Sequence, residues 1–182
     1  MEGCMETVDG QILLFIQEHI RNAVGDVFFG GITHLGDAGI FWIVLTLVLL
    51  CFKQTRRAGI FSASALLGSL IINNMLLKNL IGRVRPYEVV TGLQCIVAPA
   101  VDASFPSGHT GASFASAVSM YGELPKKYAV FLIILAALIA FSRLYVGIHY
   151  PTDVLGGLVT GVAIGLLARK LGNKIVGFIF PQ

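Results

Sequence analysis

Residues 128–146 and 152–168 are two apolar stretches of near-membrane length separated by a short link. A water-soluble core does not require such runs. A helix that crosses the hydrocarbon layer needs about 20 mainly apolar residues, within a range of about 17–25. Five stretches reach or approach that length: 35–52, 58–77, 108–121, 128–146 and 152–168. Composition agrees, because 55% of the 182 residues are hydrophobic and only 13% are charged, where a soluble domain carries roughly a quarter. The expectation is an all-α, polytopic transmembrane helical bundle forming one integral-membrane domain over residues 1–182.

The third stretch is the weakest candidate, since Ala112, Ser113, Ala115, Ser116, Ala117 and Ser119 give little insertion signal. Small residues do suit a helix buried among others, where backbones approach closely. Gly157, Gly161 and Gly165, four apart on one face of the fifth stretch, fit the same picture.

Charge tests the count of five. Lys53, Arg56 and Arg57 lie between stretches one and two, Lys126 and Lys127 between three and four, and Arg169, Lys170 and Lys174 after five. Five spans put all eight on one side, which the positive-inside rule makes cytoplasmic. The opposite face receives the N-terminus, the 78–107 connection and the 147–151 link. There, residues 11–20 (QILLFIQEHI) read as an amphipathic interfacial helix capped by Asp9, with a partial sixth span as the alternative.

Other classes find little support. A net charge of +3 without a basic tail gives no reason to expect a nucleic-acid partner, and no protein partner is expected. Cys4, Cys51 and Cys95 are odd in number, lack metal-ligand spacing and read as inert. The acidic Glu2 and Glu6 do not resemble the basic start of a signal peptide.

The outer face carries cations that oppose the charge bias. Lys78, Arg83 and Arg85 follow the second stretch, and Arg143 lies among Ala140, Phe141, Leu144 and Tyr145. Ionisable groups at membrane depth are costly and usually pair or serve a site. Three separate segments converge here: Lys78 to Arg85-Pro86; Phe105-Pro106-Ser107-Gly108-His109-Thr110, opening stretch three; and Ser142-Arg143 through His149 to Asp153. A helix start with free backbone N–H groups attracts an anion. Fixed cations, such a helix start and two histidines suit phosphoryl transfer. His149 alone has an acid in its own segment, Asp153, to fix its tautomer for attack on phosphorus, and His109 is left as general acid. Singly, each residue has a plainer reading: Lys78 as a snorkelling lysine, His149 as an interfacial residue, Ser107 as a helix cap, Asp153 as a helix-terminus acid.

Together the three segments resemble the type 2 phosphatidic acid phosphatase (PAP2) superfamily, whose motifs are Lys-x6-Arg-Pro, Pro-Ser-Gly-His and Ser-Arg-x5-His-x3-Asp. All motif positions match, over residues 78–153. The resemblance implies a helical bundle with its site at the extracytoplasmic face of the cell membrane. It implies that Lys78, Arg85, Ser107, the Gly108 backbone and Arg143 bind phosphate. His149 would form a phosphohistidine oriented by Asp153, with His109 as acid. It also implies chemistry without metal or cofactor, and inhibition by vanadate. The substrates of short relatives point to a lipid phosphate, either undecaprenyl diphosphate or phosphatidylglycerophosphate/phosphatidic acid, with the polyprenyl diphosphate favoured. Two alternatives stand beside hydrolysis: a lipid phosphotransferase with an alcohol acceptor, and a headgroup transporter or flippase.

Outside the motifs, Asn74 is read as lining the pocket or bonding between helices, and Arg83 as drawing in a headgroup or snorkelling. His34 and Asp37 are read as a turn and helix cap.

Overall fold

The computed structural model describes residues 8–179, the side chains of 175–179 excepted, so the expectations for Glu2, Cys4 and Glu6 lie outside the described residues. Cys51 and Cys95 are free thiols. The helices are α1 (Val8–Phe15), α2 (Ala23–His34), α3 (Ile40–Cys51), α4 (Arg56–Ser69), α5 (Lys78–Ile81), α6 (Pro86–Val89), α7 (Gly108–Met120), α8 (Lys126–Tyr145) and α9 (Pro151–Ile179). Two of them change pitch without stopping. Wider π-type turns extend α1 over Ile16–Ile20 and join α4 to α5 over Leu70–Leu77.

Among the described residues, three helical stretches are long and apolar enough to cross a membrane: Arg56–Val89, Lys126–Tyr145 and Pro151–Lys174. A fourth forms if α2 and α3, bent by 47° at their junction, count as one broken span. The expected first span at 35–52 is therefore trimmed at its start, its helix running over Ile40–Cys51. α3 has 12 residues and reaches only about 18 Å at 1.5 Å per residue. The break falls at Gly36-Asp37-Ala38-Gly39, where Ala38 and Gly39 have φ of 49° and 70°. Glycine enters that region without a Cβ penalty, and the chain turns there.

The expected third stretch forms a helix over nearly its expected bounds but is too short to span alone. α7 has 13 residues, about 20 Å of helix, against a hydrocarbon core of about 30 Å. It is a short central strut that packs against α9, α4 and α8. Its serines are buried and bonded: Trp42 Nε1 donates to Ser113 at 2.8 Å, and Thr46, Ser62 and Ser116 form a hydroxyl chain at 2.5 and 2.7 Å. A polar residue buried among helices must find such partners.

α7 and α9 meet backbone to backbone. A Cβ on Gly157, Gly161 or Gly165 would come within 2.6, 2.6 and 2.8 Å of the carbonyl oxygens of Ser107, Gly111 and Ala115. Outward, the bundle shows an apolar belt that includes Val44 and Leu47 on α3, Phe131 and Ile134 on α8, and Val159 and Leu166 on α9. A soluble monomer rarely exposes such a surface.

The N-terminal helix is already formed at Val8, the first described residue, ahead of the expected 11–20, and docks on the bundle. Leu13 packs with Leu93 and Tyr150, and Ile16 with Tyr145, Val146 and Ile148. Asp9 does not cap it. The residue sits in the first turn and directs its carboxylate to Arg83, at 2.8 Å, and to Thr152.

Each long helix has its basic residues at one end and its motif residues at the other. Arg57 bonds Glu123 at 3.1 Å and Asn173 at 3.0 Å, which joins the basic ends of α4, α8 and α9. Arg169 also reaches this end, its guanidinium 3.0 Å from where a Cβ on Gly122 would stand.

Candidate active site

At the opposite end, three chain segments meet around buried charge. Lys78 is placed by the wide turns of Leu70–Leu77, which reset the helix register just before it. Arg85 leaves the helix in extended conformation (φ −72°, ψ 148°) because Pro86 follows it and opens α6. Both side chains are buried and held by one acid. Lys78 Nζ donates to Asp102 Oδ2, and Arg85 Nη2 donates to Asp102 Oδ1 at 2.5 Å. Arg85 Nε also reaches the Asp102 carbonyl at 2.9 Å. Burial pushes the Asp102 carboxyl up, but the hydrogen bond and charge of Lys78 and the charge of Arg85 outweigh it, so its pKa lies below the ordinary value.

His149 lies behind Arg85, 1% exposed. Arg85 Nη1 approaches His149 Nε2 at 3.1 Å and the Ile148 carbonyl at 2.9 Å. A guanidinium can only donate, so Nε2 carries its lone pair and the ring proton belongs on Nδ1. That Nδ1 faces Asp153 Oδ2 at 3.5 Å, a charge contact longer than a good hydrogen bond, and it has no other partner. Burial lowers the His149 pKa to about 3, and the Arg85 and Arg143 charges add to the effect against Asp153. The ring is neutral.

Asp153 is fully buried and fixed from several sides. Its Oδ2 accepts from Ser104 Oγ at 2.5 Å and from the Tyr150 amide at 2.9 Å, and its Oδ1 accepts from Arg83 at 2.7 Å. Pro151 opens α9, where its missing N–H costs nothing, and this sets Asp153 two residues into the helix. Arg83 lies over the Tyr150 ring at 3.9 Å and also bonds Thr152 at 2.6 Å and Asp9. Its guanidinium is engaged by these protein partners, a role beyond the snorkelling or headgroup contact expected of it.

α7 supplies the remaining wall. Ser107 caps it, its Oγ accepting from the Thr110 amide at 3.4 Å and the Thr110 hydroxyl at 3.0 Å. His109, the second residue of α7, places Nε2 3.0 Å from Asp37 Oδ1, and Asp37 Oδ2 lies 2.7 Å from His34 Nδ1. The Asp37–His109 pairing joins the α2–α3 break to the site, a role beyond the turn and cap expected of it. Arg143 donates to Thr33 Oγ1, while its buried Nε has no partner.

A cavity of about 480 Å³ opens beside these groups. Asn74, Lys78, Asp102, Gly108 and His109 line its polar end, and Ile43, Leu66, Leu67 and Leu70 line an apolar wall. His149 joins it through Arg85 and Asp102. Among the described residues, no group of three or more His, Cys, Asp or Glu side chains is arranged to hold a metal ion.

Of the residues expected from sequence, Lys78, Arg85, His149 and Asp153 form one connected network, and Gly108 and His109 share the cavity with Lys78. Ser107 sits beside them, its amide donating to the Asp153 carbonyl at 3.0 Å. Arg143 is directed to α2 instead. Asp102, Ser104, Asp37 and Asp9 were missed, since each is a lone polar residue whose partner is distant in the chain.

Comparison with known proteins follows the same geometry. The PAP2 superfamily profile matches residues 58–176. An undecaprenyl-diphosphatase of Sulfolobus acidocaldarius is 33% identical over 71% of this chain and 63% of its own length. The undecaprenyl-diphosphatase BcrC of Bacillus subtilis is 32% identical over 87% of this chain and 81% of its own. The crystal structure of a transmembrane PAP2-type phosphatidylglycerolphosphate phosphatase from Bacillus subtilis superposes with a TM-score of 0.73 at 28% identity, covering 92% of this chain and 85% of that one. With all three motifs in place and a profile match over well more than half its length, the chain belongs to the PAP2 superfamily of phosphatases.

Proposed function

We propose that the protein hydrolyses a lipid phosphate at the extracytoplasmic membrane boundary, with undecaprenyl diphosphate as the leading substrate. One observation carries this reading: two buried cations, Lys78 and Arg85, meet beside a neutral His149 whose Nε2 lone pair faces Arg85 at 3.1 Å. The two cations share a single carboxylate, Asp102, and so keep one excess positive charge; buried charge is costly, and such a cluster suits an anion. The basic residues at the far end of the bundle orient that end to the cytoplasm by the positive-inside rule.

In the reaction, Lys78, Arg85 and the first amides of α7 take up the phosphoryl oxygens and stabilise the charge of the transition state. Arg143, held to Thr33 through Nη1 and with a buried Nε that lacks an acceptor, adds its positive charge to the same site. His149 Nε2 attacks phosphorus, the phosphorus–oxygen bond to the leaving group breaks, and His109 gives that oxygen its proton. Asp153 stabilises the positive ring through Nδ1, closing the 3.5 Å gap, as contacts long in a free enzyme do on binding. Water then attacks the phosphohistidine, the phosphorus–nitrogen bond breaks, and His109 takes the water's proton. Every step is completed by residues of this chain, so no metal or cofactor is required, and vanadate competes for the cup.

The substrate assignment rests on two relatives named as undecaprenyl-diphosphatases. Phosphate release measured over a panel of lipid phosphates, with EDTA and with vanadate, tests it. The expected result is release from undecaprenyl diphosphate that EDTA leaves intact, vanadate inhibits and His149→Ala abolishes. Full release by His149→Ala refutes the mechanism, preference for phosphatidylglycerophosphate moves the substrate, and phosphate passed to an added alcohol makes the enzyme a transferase.

A further inference from the structure

Asp102 stands where the reading above puts a phosphate. Its two carboxylate oxygens divide between Lys78 Nζ and Arg85 Nη2, as two phosphoryl oxygens would. It approaches from the open side: its side chain is 54% exposed, while those of Lys78 and Arg85 are 8% and 3% exposed. It lines the same cavity as Lys78, Gly108 and His109. Its backbone is anchored separately, by Arg85 Nε on its carbonyl at 2.9 Å and by the Ser104 amide on the Arg83 carbonyl at 2.8 Å. The carboxylate can therefore rotate out while the connection that carries it stays in place.

We propose that Asp102 is a tethered anion that holds the Lys78–Arg85 cradle between turnovers and must be displaced by every incoming phosphate, so that orthophosphate binds weakly and leaves readily while an amphiphilic phosphate still binds. The inference rests on Lys78 and Arg85 being phosphate ligands. An anion fixed beside its cations acts at an effective concentration in the millimolar range or above, and it lowers the affinity of all phosphates by the same factor. What separates them is the rest of the cavity. Ile43, Leu66, Leu67 and Leu70 wall it next to the polar end, so a lipid gains apolar burial there. Orthophosphate has nothing to place against that wall. When the phosphoryl product departs, the carboxylate returns and two buried cations are again paired, which avoids the penalty of leaving them bare.

The test compares wild type with Asp102→Asn and Asp102→Ala in detergent. It reads competitive inhibition by orthophosphate, KM for the lipid, and direct orthophosphate binding by calorimetry. The expected result is that the orthophosphate Ki falls about tenfold or more in both variants, that KM falls by a similar factor, and that kcat declines as product release slows. An unchanged or raised Ki in both variants overturns the proposal and makes Asp102 a structural clip. Lys78→Ala tests the underlying reading separately. If that variant binds orthophosphate as wild type does, the phosphate cup itself is misplaced, whatever the Asp102 variants show.

Discussion

Asp37 and His109 face each other across the α2–α3 break, with Asp37 Oδ1 3.0 Å from His109 Nε2. The contact ties one ring nitrogen of His109 and leaves Nδ1 as the atom to meet a leaving oxygen. Asp37→Asn keeps the shape and removes the charge that favours the protonated ring. It should lower kcat about tenfold or more, part of the ~10²–10⁴ that a positioned proton donor contributes, and move the acid-dependent limb of the pH–rate profile downward. KM should change little. Equal loss at every pH would show that Asp37 only supports the fold. His34, largely exposed on the other Asp37 oxygen, should tolerate alanine.

Arg83 links Asp9 of α1 to Asp153 and Thr152 of α9. Arg83→Gln should therefore have two effects that a surface arginine would not show. Turnover should drop because Asp153 loses one of its fixed donors, and α1 should become open to proteolysis because Asp9 loses its ion pair. Wild-type resistance to a protease that cuts within residues 8–20 would contradict the second effect.

Gly161 has no room for a side chain, since its Cβ would stand 2.6 Å from the Gly111 carbonyl oxygen. Gly161→Ala should push α7 and α9 apart and cost about 1–3 kcal/mol, as overpacking does. The midpoint of thermal unfolding in detergent reads it, with Gly30→Ala, where nothing lies within 4 Å of the added Cβ, as the control.

Acid should weaken the fold through His149. In the unfolded chain a histidine takes up a proton near pH 6.5, whereas burial holds the native ring neutral down to about 3. Between those values the unfolded state binds more protons, so stability is lost as pH falls, by up to about 1.4 kcal/mol per pH unit. His149→Gln should flatten the decline between pH 6 and 4. An unaltered slope would mean that the ring already ionises in the native protein.

Sequence carried the chemistry further than the architecture. Lys78, Arg85, His109, His149 and Asp153 could be picked out because the reaction demands those residue types on three short segments whose spacing is preserved in the chain. The sequence also marked Arg57 as one of the cations at the opposite end, but not its partners there, Glu123 and Asn173. What escaped were partners that only folding brings together. Asp102 lies 24 residues from Lys78, Asp37 lies 72 from His109, and Asp9 lies 74 from Arg83; no local pattern marks them. Apolar content likewise showed that 35–52 and 108–121 belong inside the bundle and gave α7 nearly its observed bounds, but it could not show that positive φ at Ala38 and Gly39 turns the chain just before α3.

The bare carbonyl-to-glycine seam between α7 and α9 has a consequence for how such a protein can diversify. The histidine at 109 and the aspartate at 153 ride on two rods that touch along their spines, so their spacing is gauged by the seam and not by the strand of chain that roofs the cup. The part of that connection from 90 to 101 can change while the gauge beneath it keeps its setting, so long as Asp102 and Ser104 keep their bonds to Lys78, Arg85 and Asp153.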